Sequence, residues 1–395
     1  MKILILHPNF PAQFKHLAKS FSDNGHDVLF LCQTHYGRSI PGVKKLTLKN
    51  AAGHKALNEL KLSLFDRSQK LAWQYREGFQ TLKSQGWKPD LIISHTGWGC
   101  GLHAKEVWPK TRLISYLEWW FDPESSFFHY NDNDKNLRLK NSIAKCWLRN
   151  QQISLELASS DEIVSPTFWQ KNQLPATFRK KCNIIFDGID LDIYKSRPDV
   201  IREKVITYGT RGMDPIRCFP QFIMAICEVL IKCEDYTVEI AGLDETFYGL
   251  PPKKTTWGKW AKSYINDKKL QSRIRWVGKL PPGKYELWLN KSCCHVYLTH
   301  PFVASWSLVE AYCSGTPLVI SDVETALEIC QPNFGVDTTN HINPNNITQS
   351  IIRSLRSNNY DSTTLSQLRQ PSRFGIRSAL EQWGVVAGVE LTTTD

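Results

Sequence analysis

The chain has 395 residues, 42% of them hydrophobic and 14 of them Trp, which predicts two globular domains with full-sized cores. No run of about 18 apolar residues occurs, so no transmembrane helix is expected. The apolar residues 2–6 are too few for a signal peptide, because His7 and Pro8 follow them. The net charge of +11 is dispersed and no nucleic-acid motif is recognisable, so no nucleic-acid partner is expected. This charge indicates either a solvated basic face or peripheral contact with an acidic membrane.

The first half of the chain predicts a parallel α/β sheet. Residues 2–6 and 27–32 are apolar runs typical of buried strands, and residues 14–23 between them have apolar positions at helical spacing. Two strands joined by such a crossover helix form the βαβ unit of a parallel sheet. Further strands are predicted at 90–94, 112–117, 162–165 and 182–186, and a long helix is predicted at 54–85.

A second α/β series begins after Pro198. Its predicted strands are 205–208, 236–241, 274–277, 295–298 and 318–320, with helices at 218–230, 284–289, 308–313 and 347–355. The fold class is therefore α/β, with two Rossmann-like parallel-sheet domains facing a cleft. We assign the domains to residues 1–187 and 188–375, and residues 376–395 to a C-terminal tail that could pack back toward the first domain.

Eleven cysteines are scattered along the chain without a Cys-x-x-Cys pair. This spacing disfavours zinc and thioredoxin chemistry. Free thiols in a reducing compartment are the simplest interpretation. We therefore expect a cytoplasmic protein, with the inner face of the membrane as a peripheral location.

Two arginines, Arg211 and Arg217, lie six residues apart between a predicted strand and a predicted helix. Gly209 and Gly212 give this segment the freedom to bring backbone amides close to a ligand, and a helix N-terminus favours anions. The two guanidinium groups could hold a diphosphate. The alternative is an ordinary loop with two surface arginines.

A single carboxylate, Glu310, stands in an otherwise apolar helix that starts near Ser305 or Ser307 and ends at Gly315. A buried acid is costly unless it is hydrogen-bonded. A ligand with vicinal hydroxyls, such as a ribose, would supply those bonds. The residues 317–321 that follow predict a buried strand.

The segments 210–217 and 300–317 resemble the donor site of GT-B glycosyltransferases of family 4 (group 1). In that family an Arg and a Lys at the same spacing hold the donor pyrophosphate, where this chain has Arg211 and Arg217. The family pattern also has two glutamates separated by seven residues. Glu310 matches the second, but Phe302 stands in the place of the first. The chain therefore resembles a subgroup with Phe at that position.

The resemblance implies several further donor contacts. It implies that the strand end at Val277 and Gly278 contacts the nucleotide base. Because Phe302 cannot accept a hydrogen bond from the sugar, backbone amides near Val303–Trp306, or Ser305 itself, would have to replace the missing glutamate. The donor-binding candidates at this helix start are Ser305, Trp306, Ser307 and Leu308.

The first half would then hold the acceptor side. His95 and Gly97 belong to a glycine-rich turn after a strand, which the resemblance places at the acceptor side, although a lone histidine can equally be structural. The resemblance brings the first strand-to-helix loop, with Asn9 and Gln13, close to the diphosphate or the acceptor. The two prolines of that loop equally suit a rigid structural turn. The same turn, with Glu118 downstream, is also a weak match to a dinucleotide-binding motif.

The family often has a histidine close to the transferred sugar where this chain has Glu118. That carboxylate could bind a sugar hydroxyl or stabilise a cationic transition state. Trp119 could form a stacking wall for a sugar or lipid. The alternative is a structural role for both residues, in which Trp119 packs with other aromatic residues and Glu118 forms a salt bridge.

The implied activity is a retaining, metal-independent hexosyl or other glycosyl transfer in bacterial surface-glycan or polysaccharide biosynthesis. The catalytic candidates are Arg211, Arg217, Glu310 and Glu118. No bound cofactor is expected; the co-substrate would be a UDP- or GDP-linked sugar, and the acceptor a glycan, a lipid-linked molecule or a protein. The alternatives are a catalytically silent GT-B scaffold or partner subunit, a nucleotide-sugar epimerase and, more distantly, a nicotinamide oxidoreductase.

Overall fold

The computed structural model describes residues 1–48, 63–133, 136–137, 142–357 and 361–391. The chain forms two compact units. Unit 1 comprises Met1–Pro123, Asn141–Gly188 and Phe374–Asp395, and unit 2 comprises Glu124–Lys140 and Ile189–Arg373. None of the described helices is long and apolar enough to cross a membrane.

Unit 1 contains a seven-stranded parallel sheet in the order β3-β2-β1-β4-β5-β6-β7. The first strand is central because Ile3 pairs with both Val28 and Leu91. Its apolar residues are buried on both faces, as expected for a parallel sheet covered by helices. The strands are β1 (Lys2–Leu6), β2 (Asp27–Cys32), β3 (Lys44–Thr47), β4 (Leu91–His95), β5 (Arg112–Tyr116), β6 (Glu162–Ser165) and β7 (Cys182–Ile184).

Helices cover both faces of this sheet. On one face Phe14, Phe21 and Phe30 pack with Trp383 of the last helix, and on the other Tyr75 and Phe79 pack against buried strand residues. The helices of unit 1 are α1 (Lys15–Asp23), α2 (Leu64–Ser84), α3 (Ala104–Val107), α5 (Ser142–Ser159), α6 (Phe168–Asn172), α7 (Ala176–Arg179) and α15 (Ile376–Ala387). The predicted helix at 54–85 is described from residue 64 onward, and its first part lies outside the described residues.

Unit 2 contains a six-stranded parallel sheet in the order β10-β9-β8-β11-β12-β13. Its core includes a stacked pair, Tyr208 of the sheet and Phe222 of a covering helix, whose ring centroids are 4.2 Å apart. The strands are β8 (Glu203–Gly212), β9 (Thr237–Leu243), β10 (Ile274–Gly278), β11 (Ser292–Tyr297), β12 (Leu318–Ser321) and β13 (Val336–Thr339). The helices are α4 (Ser126–Asn133), α8 (Phe219–Lys232), α9 (Trp257–Asp267), α10 (Pro282–Lys291), α11 (Trp306–Cys313), α12 (Glu324–Leu327), α13 (Pro344–Ser357) and α14 (Ser362–Arg369).

The prediction of an α/β fold with two parallel sheets is confirmed. The sequence-based domain division differs from the structure by one or two residues at Gly188 and Phe374, which belong to unit 1, and over one longer segment. Residues 124–140 were assigned to the first domain, but they belong to unit 2. The physical reason is local packing: Leu250 N donates to Asn136 O at 2.7 Å, and the rings of Phe127 and Phe302 are 6.0 Å apart. The last helix, within the predicted tail, belongs to unit 1.

Strand β8 is longer than predicted. The sequence indicates a strand at 205–208 followed by a loop, whereas the structure continues the strand to Gly212. The pairing with β9 shifts register between Gly209 and Gly212, which marks a β-bulge. A bulge lets a strand continue past glycines that would otherwise indicate its end, so Arg211 lies on a strand rather than in a loop.

Candidate functional site

Arg217 lies at the carboxyl edge of the unit 2 sheet, in a single 3-10 turn (Pro215–Arg217) between β8 and α8. Its Nη1 donates to the Tyr297 hydroxyl at 2.5 Å and to Thr299 Oγ1 at 2.8 Å. Tyr208 also donates its hydroxyl to the Arg217 backbone carbonyl at 2.7 Å. These hydroxyl partners orient the guanidinium without neutralising it, so its positive charge stays available for an anion.

Phe302, in the place of the family's first glutamate, packs directly on this arginine. The Arg217 Cζ lies 5.5 Å from the centroid of the Phe302 ring, within the range of a cation–π contact. Tyr248 and Phe127 surround the same ring at 5.0 and 6.0 Å. The position that is acidic in the family pattern is therefore part of an aromatic cluster here.

Arg211 lies near the end of β8 and is exposed. Its guanidinium covers the ring of Phe247, with Cζ 4.1 Å from the centroid. The loop carrying Phe247 and Tyr248 is fixed by Asp214, whose carboxylate accepts their backbone N–H groups at 2.6 and 3.0 Å. Sequence reasoning missed Phe247 and Tyr248, because nothing local indicates that the loop after β9 reaches both Arg211 and Phe302.

Gly209 and Gly212 have packing reasons to be glycine. A Cβ at Gly209 would lie 3.2 Å from the Trp288 ring, and one at Gly212 would lie 2.6 Å from the ring of Phe247. Protein side chains therefore fill the space beside both glycines. The predicted approach of their backbone to a donor stays a prediction.

Glu310 occupies the second turn of α11, which begins at the carboxyl edge of the same sheet. Tyr194 donates its hydroxyl to the Glu310 carboxylate, and the side chain is otherwise largely desolvated. Burial raises the pKa of Glu310 to about 7, against which the Tyr194 hydrogen bond acts weakly. The structure thus supplies one partner for this carboxyl and leaves capacity for others, because a carboxylate accepts several hydrogen bonds.

The remaining predicted donor residues border this edge. Val277 and Gly278 end β10 and are half-buried, with Gly278 at φ +67°. Ser305 precedes α11, and its hydroxyl lies 2.8 Å from that of Ser307. Trp306 is exposed, whereas Leu308 is buried in the core. The Leu308 side chain therefore cannot contact a donor, because packing in the core takes it away from solvent.

In unit 1, Gln13, His95 and Glu118 meet at the carboxyl ends of the neighbouring strands β1, β4 and β5. Gln13 hydrogen-bonds the Glu118 side chain. His95 Nδ1 donates to Thr96 O at 2.8 Å, and its Nε2 lies 3.7 Å from Glu118 Oε2. Burial lowers the pKa of His95 to about 4, so the ring is neutral near pH 7.

Two acceptors therefore face each other in this group. The neutral His95 Nε2 carries a lone pair and has no hydrogen-bond partner among the described residues. Glu118 is half-buried, and burial raises the pKa of its carboxyl. A ligand hydroxyl would donate to one of these acceptors, and two neighbouring hydroxyls of one sugar would donate to both.

The other acceptor candidates have mainly structural contacts. The backbone N–H of Asn9 lies 2.9 Å from His7 Nδ1. Trp119 packs against Phe121 and Trp169, with ring centroids 5.7 and 5.3 Å away. Gly97 has φ +88°, and a Cβ added there would meet nothing within 4 Å.

A buried glutamate, which sequence reasoning missed, braces the glycine-rich turn. Glu156 of α5 accepts from Ser94 Oγ and Gly101 N, both at 2.9 Å, and from Gln152 Nε2 at 3.1 Å. Burial raises the pKa of Glu156 to about 7. The role of Glu156 could not be predicted from local sequence patterns, because it lies 55 residues from Gly101 in the turn that it stabilises.

Comparisons with known proteins give a partial family match and a clear fold. Residues 24–194 match the family model described as "Glycosyl transferase family 4 group". This segment, less than half of the chain, includes His95 and Glu118 but neither Arg217 nor Glu310. No curated protein sequence matches the chain significantly.

Solved structures align with the chain over almost its whole length. Anabaena HepE in complex with UDP has a TM-score of 0.70 at 15% identity, covering 98% of this chain and 100% of that one. Sucrose-phosphate synthase from Thermosynechococcus elongatus has a TM-score of 0.69 at 12% identity, covering 98% of each chain. The lipopolysaccharide outer core galactosyltransferase WaaB has a TM-score of 0.64 at 13% identity, covering 98% and 99%. The chain therefore has the GT-B fold that the sequence predicts.

Proposed function

We propose that the protein is a glycosyltransferase that moves a sugar from a nucleotide-diphosphate sugar to an acceptor hydroxyl. The observation that carries this proposal is the presence, at one edge of the unit 2 sheet, of a cation held by hydroxyl groups and a partly satisfied buried carboxyl. Arg217 is held by hydroxyls, and Glu310 is held by Tyr194. A ligand with a diphosphate and a ribose would satisfy both groups.

The reaction would proceed with retention at the anomeric carbon. The bond from that carbon to the diphosphate oxygen breaks while a bond to the acceptor oxygen forms on the same face. The departing phosphate oxygen takes the acceptor proton, so no side chain needs to act as the general base. Arg217 and Arg211 stabilise the charge that develops on the diphosphate, and this role makes the reaction independent of a metal.

The nucleotide is proposed to be UDP or GDP. Glu310 would accept hydrogen bonds from the ribose hydroxyls, which both nucleotides share. The structural likeness to HepE, which was solved with UDP and with UDP-glucose, makes UDP the first nucleotide to test. Val277 and Gly278 would contact the base.

The acceptor is assigned to the unit 1 group. His95 Nε2 and Glu118 Oε2 are two acceptors 3.7 Å apart, and two neighbouring sugar hydroxyls would each donate to one of them. A glycan, a lipid-linked glycan or a glycosylated protein would present such hydroxyls. We propose a role in surface-glycan or polysaccharide synthesis at the cytoplasmic side of the membrane.

One observation favours a second candidate, a catalytically silent GT-B scaffold or partner subunit. Phe302 replaces a residue that accepts hydrogen bonds in the family pattern, and its ring covers Arg217. A silent protein would bind the nucleotide but turn over no donor. An epimerase would release a new sugar still attached to the nucleotide.

The test is a panel of UDP- and GDP-linked sugars, with release of the nucleoside diphosphate measured in the presence of water or candidate glycans. We expect turnover of at least one donor, and a loss of about 100-fold or more in Arg217→Ala and Glu310→Ala. Arg353→Ala and Glu203→Ala are matched controls, because Arg353 is exposed on α13 and Glu203 lies at the opposite end of β8. Turnover that survives both site substitutions contradicts the proposal.

A further inference from the structure

Cys218, His300 and His341 meet inside unit 2, although they are far apart in the sequence. The thiol sulfur of Cys218 and one ring nitrogen of each imidazole all lie within 4.8 Å of one another. All three residues are buried, with at most 2% of any of them exposed. The two rings are perpendicular, with centroids 4.9 Å apart.

Three separate elements bring these side chains together. Cys218 joins the 3-10 turn of Arg217 to α8 and has the left-handed backbone angles φ 51° and ψ 34°. This conformation costs a residue with a Cβ on the order of 1 kcal/mol of conformational free energy, so an interaction that offsets the cost is expected. His300 follows β11, and its backbone N–H donates to Ile216 O at 2.9 Å. His341 follows β13.

The ligand set matches the coordination preferences of zinc. Imidazole nitrogen and thiolate sulfur suit Zn²⁺, whereas Mg²⁺ and Ca²⁺ prefer oxygen ligands, and the cluster contains no carboxylate. Tetrahedral bonds of about 2.0 Å to nitrogen and about 2.3 Å to sulfur separate the ligand atoms by roughly 3.3–3.5 Å. The cluster therefore needs only small side-chain rotations to close around an ion.

We propose that Cys218, His300 and His341 bind one Zn²⁺ ion. Binding replaces the thiol proton of Cys218 with a bond from sulfur to zinc and releases that proton, while the two neutral imidazoles each donate one lone pair. A water molecule completes the tetrahedron. The sequence disfavours zinc because it lacks Cys-x-x-Cys, but ligands from three loops that are far apart in the sequence leave no local pattern.

The ion would stabilise the turn that presents Arg217. Cys218 follows Arg217 directly, and His300 is already hydrogen-bonded to Ile216 on the other side of the arginine. Coordination by both residues would fix this turn against the ends of β11 and β13. The role is structural, and it is separate from the metal-independent transfer proposed above.

The test measures metal in the full chain, produced in zinc-supplemented medium and exchanged into buffer without chelator. We expect about one zinc per wild-type chain and less than about 0.1 in Cys218→Ser and His341→Gln. Cys227→Ser is the matched control, because Cys227 is equally buried on α8 but lies outside the cluster. It should retain the metal.

Two readouts on the wild-type protein keep the test independent of variant folding. Co²⁺ bound in place of zinc should produce a thiolate-to-cobalt charge-transfer band, and removal of the metal should lower Tm. The proposal is contradicted if the wild-type chain holds no stoichiometric metal, shows no charge-transfer band with Co²⁺ and keeps its Tm after metal removal. The three residues would then form a hydrogen-bonded cluster without a metal. Stoichiometric copper instead of zinc overturns the assignment of the ion, and metal retained by Cys218→Ser overturns the assignment of the ligands.

Discussion

The ring of Phe302 lies against the guanidinium of Arg217, with the Arg217 Cζ 5.5 Å from the ring centroid. An acid at position 302 would compete with a diphosphate for that cation. An aromatic ring stabilises the cation without adding a negative charge of its own. In the proposed glycosyltransferase, Phe302 would therefore preserve nucleotide binding and would remove a hydrogen-bond acceptor from the sugar end of the site.

Phe302→Leu should separate nucleotide binding from transfer. Leucine keeps the site apolar but loses the contacts with Arg217 and Tyr248. We expect the Kd for the nucleoside diphosphate to change by less than about twofold and donor turnover to fall about tenfold. Calorimetry and donor assays measure the two effects. Phe334→Leu, an exposed position in unit 2, is the control. Equal losses in affinity and turnover would show that the ring serves the nucleotide.

Glu310 should make nucleotide binding pH-dependent. Its pKa of about 7 means that the carboxyl is largely neutral below that pH and ionised above it. The ionised form accepts ribose hydrogen bonds better, so affinity should rise about tenfold between about pH 6 and pH 8. The phosphate groups of the nucleotide also titrate, but they contribute the same pH dependence to the affinity of the variant and of the wild type. In Glu310→Gln the part of the pH dependence of affinity that comes from residue 310 should therefore vanish. Equal pH profiles of affinity in variant and wild type would refute the assignment of that dependence to Glu310.

The same carboxyl should destabilise the ligand-free protein at alkaline pH. Burial raises its pKa from about 4.5, so between these values the folded state holds a proton that the unfolded state has released. Stability then falls as pH rises through this window, by up to about 3 kcal/mol. Glu310→Gln should therefore raise Tm at pH 8 relative to wild type and have little effect at pH 4.5. A lower Tm for the variant at the higher pH would be inconsistent with a desolvated acid.

Gly101→Ala should destabilise unit 1. An added Cβ would collide with Glu156 Oε1 and lie 2.5 Å from Ser94 Oγ, disturbing a buried hydrogen-bonded carboxyl. We expect a loss of about 2–4 kcal/mol in the free energy of unfolding, measured by denaturant titration. Gly283→Ala is the control, because a Cβ there meets open space at the start of α10. Wild-type stability in Gly101→Ala would mean that Glu156 can move without cost.

Much of the fold follows from local patterns in the sequence. Residues 2–6 and 27–32 form strands, as their apolar runs predict, and residues 15–23 form a helix, as the helical spacing of their apolar positions predicts. Gly25 ends that helix, so the local patterns agree with one another. The strand at Lys44–Thr47 escaped prediction because three of its four residues are polar, and Val336–Thr339 because it has a single large apolar residue. Edge strands with little apolar surface leave a weak periodicity.

The sequence predicts only those site residues whose charge contrasts with the residues next to them in the chain. Arg217 and Glu310 stand out as isolated charges between apolar elements, and the structure places both at the carboxyl edge of one sheet. Their partners do not stand out. Tyr194, Tyr297 and Phe247 are ordinary aromatic residues in the sequence, and only long-range packing makes them contacts of the charged groups.

The most direct test of the central claim is calorimetric titration of the protein with UDP and GDP. The account predicts one site per chain for at least one nucleotide, a Kd raised about tenfold or more in Arg217→Ala and in Glu310→Gln above pH 7, and an unchanged Kd in Arg353→Ala. The absence of binding by either nucleotide, or binding that survives both site substitutions, would contradict it.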